Sequence, residues 1–230
     1  MNRPYVICHM VVSLDGKVTG DFLYTPEGTA AAEVYYQLNR DYGADGFACG
    51  RITMEGSFTG GYYPELEKYS GASIPRTDHV ADETARYFAV SFDRKGRLGW
   101  KESRIRDEDP GYDNAHIIEV LEEADDKYLA YLRDIGVSYI FASDIKCALE
   151  KLKNLFGIST LLLEGGSIIN GAFASEDVID ELSLVVAPIS GDGKPLLGDS
   201  PISQYALKGV KQYGDGILFL NYKRRSEEIK

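Results

Sequence analysis

The sequence has little of what several functional classes require. Its 230 residues include three cysteines, three histidines and one tryptophan. Cys8, Cys49 and Cys147 are odd in number, far apart and each in an apolar context, which suits reduced core thiols rather than a disulfide framework. There is no Cys-x-x-Cys pair and no His-x-x-x-His spacing, so no metal site is expected. Long apolar runs are also missing: Ile158 to Leu163 and Leu182 to Ile189 fall far short of the roughly 20 residues of a membrane span. MNRPYVICHMVV at the start is interrupted by His9 and followed by SLDG, so it does not read as a secretion signal, and the expected location is the cytoplasm. Positive charge is scarce as well. A formal charge of -11 disfavours nucleic acid and anionic membrane as partners, and the one basic run, Lys223 to Arg225, reads as a solvated chain end.

Common catalytic fingerprints are lacking too. GxGxxG does not occur, GDGK at 191–194 lacks the upstream glycine of a P-loop, and no GxSxG surrounds Ser57 or Ser167. His9 lies inside an apolar strand and reads as a satisfied core histidine; His79 and His116 read as loop or strand-edge residues, and Trp100 as a packed surface anchor.

What is present is an alternation of strand and helix patterns in a chain that is 44% hydrophobic, enough for a well-buried core. Strands are expected at Tyr5 to Val12, Asp45 to Cys49, Tyr87 to Phe92, His116 to Val120, Ser138 to Ala142 and Thr160 to Leu163. Helical spacing marks Thr29 to Tyr42, Asp125 to Ile135, and the stretch after Asp144 that carries Ala148, Leu149, Leu152 and Phe156, with Gly43, Gly136 and Gly157 as stops. Beyond these, Glu181 to Ala187, Gly209 to Tyr213 and Ile217 to Tyr222 have no long helix between them and should pair antiparallel. The fold class is therefore α/β, read as one domain over residues 1–230 with a loop-rich, tyrosine-containing excursion at about 56–85.

Three stretches can carry chemistry. In LLLEGGSIINGAF (161–173) an apolar strand ends in Glu164, Gly165 and Gly166 and turns into a helix, a geometry that offers backbone amides and the positive end of a helix dipole to a phosphate. In DGFACGRIT (45–53) a second strand ends in Gly50, with Arg51 and Thr53 beside it as further anion donors. In VVSLDGKVTG (11–20) Asp15 follows the first strand, as an Asx turn or as a carboxylate that meets Glu164 in one crevice.

Taken in this order, SLDG, the strand with GRIT, and LLLEGGSIINGAF followed by VIDELSLVVAPISGDGKPLL resemble the reductase domain of the riboflavin-biosynthesis deaminase-reductase family over roughly residues 4–222, lapsing across 56–115. The resemblance implies a dihydrofolate reductase-like three-layer fold, with a central mixed, mostly parallel sheet flanked by helices and antiparallel strands at the C-terminal end. It also implies an NADPH-dependent reductase, usually a homodimer, that transfers hydride to the sugar carbon of a ribosylaminopyrimidine phosphate or a related small heterocycle. By it Gly165, Gly166, Ser167 and Ile168 cradle the cofactor pyrophosphate, Gly50 and Thr53 form a second cofactor turn, and Arg51 meets the 2′-phosphate. Ser13 and Asp15 lie beside the nicotinamide, Glu164 contacts substrate, and either Asp15 or Glu164 supplies the proton.

The sequence departs from the family where His9 replaces a common lysine, where Ser57 falls near a substrate-contacting aspartate, and where DFLYTPEG follows the first loop. No deaminase domain is expected before residue 1, and Arg40 alone offers itself for the sugar phosphate. Two other readings stand beside the first. One is a dihydrofolate reductase, which needs an acid on the first long helix, where only Glu33 offers itself; the other is a nucleotide-binding sensor or structural dimer without catalysis.

Overall fold

The structure, a computed structural model, describes residues 2–225. Its strands form a nine-stranded, mostly parallel sheet accompanied by helices, with the antiparallel pairs at the C-terminal end, as the sequence predicts. They are β1 (Tyr5–Val12), β2 (Gly46–Gly50), β3 (Phe88–Phe92), β4 (His116–Leu121), β5 (Ser138–Phe141), β6 (Thr160–Leu163), β7 (Glu181–Val186), β8 (Tyr205–Gln212) and β9 (Leu218–Arg224). The helices are α1 (Pro26–Tyr42), α2 (Arg51–Met54), α3 (Asp126–Asp134), α4 (Ile145–Phe156) and α5 (Ser167–Ser175). Two compact units make up the chain: Ala44–Leu161 with the N-terminal residues to Pro4, and Tyr5–Gly43 with the residues from Leu162 onward.

In the first unit the strand order is β5-β4-β3-β2, and each of these pairs is parallel. Every residue of β3 and β4 is buried, which is why these strands read as continuous apolar runs rather than as alternation. α3 and α4 start where short carboxylates cap them: Asp125 accepts from the Tyr128 amide at 2.8 Å and Asp144 from the Cys147 amide at 2.8 Å. Two residues and one segment in this unit sit differently from expectation. Trp100 is buried rather than superficial, because its indole N–H donates to the buried carboxylate of Glu119. His116 is the strand-edge residue expected, opening β4; it is buried, with its Nε2 2.8 Å from the Ser138 hydroxyl. Cys147 is only half-buried, since it lies in the first turn of α4. Leu66–Tyr69 forms a 3-10 turn inside the excursion, which is held against α3 by Lys127 to Glu67 at 2.8 Å, Tyr69 to Asp134 at 2.6 Å and an Arg76–Asp126 ion pair.

In the second unit β1 pairs parallel with β7 from Ile7↔Glu181 to Val12↔Val186, and β7 and β8 each pair antiparallel with β9. Its core gathers Val11, Phe22, Ala31, Val185, Ala187 and Ile217, with Val34, Tyr35 and Leu38 of α1 laid over them. β8 begins four residues before the expected strand. A bulge between Leu207 and Gly209 breaks the period of two there, and most of the strand is exposed, so no apolar face marks its start. In the basic run Lys223 and Arg225 are exposed, as a solvated run should be, while Lys223 and Arg224 continue β9 and Arg224 pairs with Asp177.

Candidate active site

In the second unit the β6–α5 turn has the geometry expected of an amide cradle. β6 delivers Glu164 to the end of a buried strand, and its carboxylate, 7% exposed, accepts from the buried Asn39 side chain of α1 at 2.6 Å. Gly165 has φ +94, a conformation that side chains resist, and a Cβ there would lie 3.0 Å from Met10 Cε. The Gly165–Gly166 peptide is cis. Gly166 is the N-cap of the nine-residue α5, and no side-chain cap bond closes that end of the helix. Ser167 is buried and donates to the Pro195 carbonyl at 2.5 Å, while Ile168 stands 70% exposed at the same helix end. In the same first turn Asn170 is fully buried, and neither its Nδ2 nor its Oδ1 has a hydrogen-bond partner.

The SLDG loop is joined to this turn through one segment, residues 188–198. Leu14 N–H donates to Ile189 O at 2.8 Å, Val18 N–H to Lys194 O at 2.9 Å, and Leu196 N–H to Gly16 O at 3.1 Å. Gly193 runs so close to Thr19 that a Cβ would overlap the Thr19 carbonyl. Ser13, itself buried, donates its hydroxyl to Asp15 at 2.7 Å and accepts from the Lys17 amide at 2.9 Å. Asp15 is exposed and accepts from the Gly191 amide at 2.8 Å. That amide, together with the Ser13 hydroxyl, holds its carboxyl below the usual range. The segment 188–198 thus bonds on one side to the loop of Ser13 and Asp15 and on the other to Ser167.

His9 lies in this unit too, and it is the satisfied core histidine expected: fully buried, with Nδ1 2.8 Å from the Ser183 hydroxyl, Nε2 3.0 Å from the Tyr35 carbonyl and its ring stacked on Tyr35. Burial lowers its pKa to about 4. Glu33 and Arg40 are both exposed on α1.

The remaining predicted residues belong to the first unit. Gly50 ends β2 and is the N-cap of α2, a single turn that continues into a π-helical turn at Glu55–Thr59. Thr53 is half-buried there. Arg51 is not an open cation: its Nη1 lies 2.7 Å from Glu55 Oε2, an i,i+4 pair that an arriving anion has to compete with. Sequence reasoning missed Asn39, Asn170 and the bracing role of Gly191 and Gly193. GDGK was read as a failed P-loop and as part of the family resemblance, not as a brace, and an asparagine within a helix pattern carries no local mark.

Residues 107–219 match the family model of the RibD C-terminal domain. The match takes in the β6–α5 turn and the bracing segment, and stops short of Ser13, Asp15 and the Gly50–Thr53 turn. Three solved structures share the fold. A pyrimidine reductase-like protein from Corynebacterium diphtheriae is 20% identical with a TM-score of 0.67, covering 98% of this chain and 94% of its own. RibD of Acinetobacter baumannii is 20% identical with a TM-score of 0.66, and there the chain covers 98% of itself and 59% of that longer protein. The riboflavin biosynthesis reductase of Saccharomyces cerevisiae is 16% identical with a TM-score of 0.62, with 98% and 91% covered.

Proposed function

We propose that this chain is a member of the RibD C-terminal domain family and an NADPH-dependent reductase of the riboflavin-biosynthesis type. Its substrate would be a ribosylaminopyrimidine phosphate or a closely related small heterocycle. The observation that carries the reading is the uncapped start of α5 behind Gly165 and Gly166, braced by 188–198 against the loop of Ser13 and Asp15. The cradle fits the pyrophosphate of a nicotinamide cofactor on two counts: Gly165 and Gly166 put no side chain of their own on the turn, and a buried amide with no hydrogen-bond partner, Asn170, stands beside it.

Gly165, Gly166, Ser167 and Ile168 are assigned to holding the pyrophosphate, with Ile168 offering apolar cover from its exposed position. Ser13 is assigned to the nicotinamide side. In the first unit Gly50, Arg51 and Thr53 are assigned to a second phosphate group, in competition with Glu55. When bound, the dihydronicotinamide supplies a hydride. Reduction of the opened sugar imine also takes up one proton, and of the two candidate carboxyls Glu164 suits that task better. It is buried and oriented by Asn39, whereas Asp15 is exposed, stabilised as the anion and committed to the Gly191 amide. Asp15 is accordingly assigned to shaping the loop. The reading carries with it a cytoplasmic homodimer, supported by Leu207 and Val210, which stand exposed on β8. The described residues contain no helix long and apolar enough to cross a membrane.

The test is NADPH oxidation by the purified protein with the ribosylaminopyrimidine phosphate, against no-substrate and dihydrofolate controls. Turnover with the ribosyl compound alone is expected. NADPH binding without turnover on either compound would overturn the assigned reaction and favour the sensor reading, and turnover on dihydrofolate would move the substrate to the pterin class.

A further inference from the structure

The Asn170 side chain stands at the β6–α5 turn outside the hydrogen-bond network. It is fully buried, yet both Nδ2 and Oδ1 lack a partner. A buried unmade hydrogen bond costs about 1–3 kcal/mol, and a leucine of similar size at this position would carry no such cost. Asparagine is also a poorer helix former than leucine. Helix propensity and core packing therefore both argue against an asparagine here, and the amide calls for a different reason.

Its direction supplies one. Side chains on a helix lean toward the N-terminus, so a residue in the first turn aims at whatever precedes the helix. For Asn170, whose own amide N–H donates to Gly166 O at 3.1 Å, that is the Gly165–Gly166 turn. Nδ2 lies 3.8 Å from where a Cβ of Gly165 would stand, on the side of the turn shared with Met10. Met10 offers only a thioether and a methyl group to that space, whereas the turn itself carries backbone N–H and C=O groups. We propose that Asn170 is a positioning residue for the cofactor cradle: its side-chain amide gains its hydrogen-bond partners from the turn when an anion is bound, and so holds the turn amides toward the anion. This deepens the reading above and rests on it. The unliganded protein carries the cost of the unpaired amide, and binding relieves it, so the residue contributes to affinity at the expense of unliganded stability.

That trade-off separates positioning from ordinary packing, because a packing residue moves stability and affinity in the same direction. The experiment measures NADPH affinity by fluorescence titration, and unliganded Tm, for the wild type, Asn170→Leu and Asn170→Ala. The wild type should bind NADPH; if it does not, the cofactor reading falls before the variants are considered. Asn170→Leu should bind about tenfold more weakly, with an unliganded Tm equal to or above the wild type. Asn170→Ala, which introduces no larger side chain, should show the same loss of affinity and decides the matter if the leucine variant does not fold. With saturating NADPH, kcat should change less than the KM for NADPH. Wild-type affinity in a folded variant would overturn the proposal, as would a loss of affinity that scales with a fall in unliganded Tm in both variants.

Discussion

Asp15 and Glu164 carry the same functional group in opposite surroundings. Asp15 is exposed and takes the Gly191 amide, which favours its anion; Glu164 is buried and takes the Asn39 amide at 2.6 Å. Glu164→Gln keeps the shape and the bond to Asn39 while removing the ability to exchange a proton. It is expected to lower kcat by about 10²–10⁴ while leaving the Kd for NADPH within twofold or so. A wild-type kcat in that variant, measured by single-turnover kinetics, would return the proton to another group. Asp15→Asn should change kcat much less, because an amide oxygen can still accept from Gly191. Neither role could be assigned from the sequence, since what separates the two carboxylates is the partner each finds at a distance of 125 residues for Glu164 and 176 for Asp15.

At the scale of elements, the site depends on one helix end and one bracing segment. Gly166 has φ -74 and supplies no cap to α5. Aspartate is comfortable at that φ and is a good N-cap, so Gly166→Asp is expected to hold or raise the thermal stability, by up to about 1 kcal/mol. Its carboxylate would at the same time occupy and repel the anion position, so NADPH affinity should fall at least tenfold or so. A calorimetric titration beside a thermal melt reads both, and unchanged affinity in the folded variant would remove the cradle from the cofactor site. Most elements here were legible because each signals locally. β6 was read residue for residue, and α3 and α4 within one turn, from their apolar spacing and, for α4, the Asp144 cap. β8 was read short because an exposed, bulged edge strand has no buried face to give it a period. The bracing segment 188–198 was recognised only as a motif, because its function is to bond with two loops remote in sequence.

Across the whole molecule, buried titratable groups set how stability varies with pH. His9 and His116 are both lowered to about 4, mainly by burial. Between about pH 4 and 6.5 the unfolded chain binds more protons at these two sites, so their contribution rises with pH, reaching up to roughly 3 kcal/mol each above the unfolded value. Glu119 acts in the opposite sense. Burial first, and then Asp93 beside it, push its carboxyl well above the usual range, so the folded protein keeps a proton the unfolded chain has lost. Its contribution falls as pH rises from about 4.3 upward. Stability should therefore climb from acid to near pH 6.5 and decline beyond it. Glu119→Gln, which can still accept from Trp100, should flatten the decline and raise the Tm at pH 8. Urea titrations from pH 4 to 9 check this, and a variant that retains the wild-type decline would exonerate Glu119.

The sequence by itself determined the alternation of strand and helix, the antiparallel end, the helix caps and the glycine turn after β6. Each of these depends on local spacing, on a capping side chain or on backbone freedom within a few residues. Tertiary structure alone decided that Asp15 is spent on Gly191, that Arg51 is met by Glu55, that Asn39 holds Glu164 and that Asn170 is left without a partner. Three of those outcomes turn on which group burial and the folded chain bring within about 3 Å of another, and the fourth on a buried amide that nothing approaches. Arg51 and Glu55 were adjacent on a helix face from the start. Whether they pair was still settled by the turn into which that helix runs.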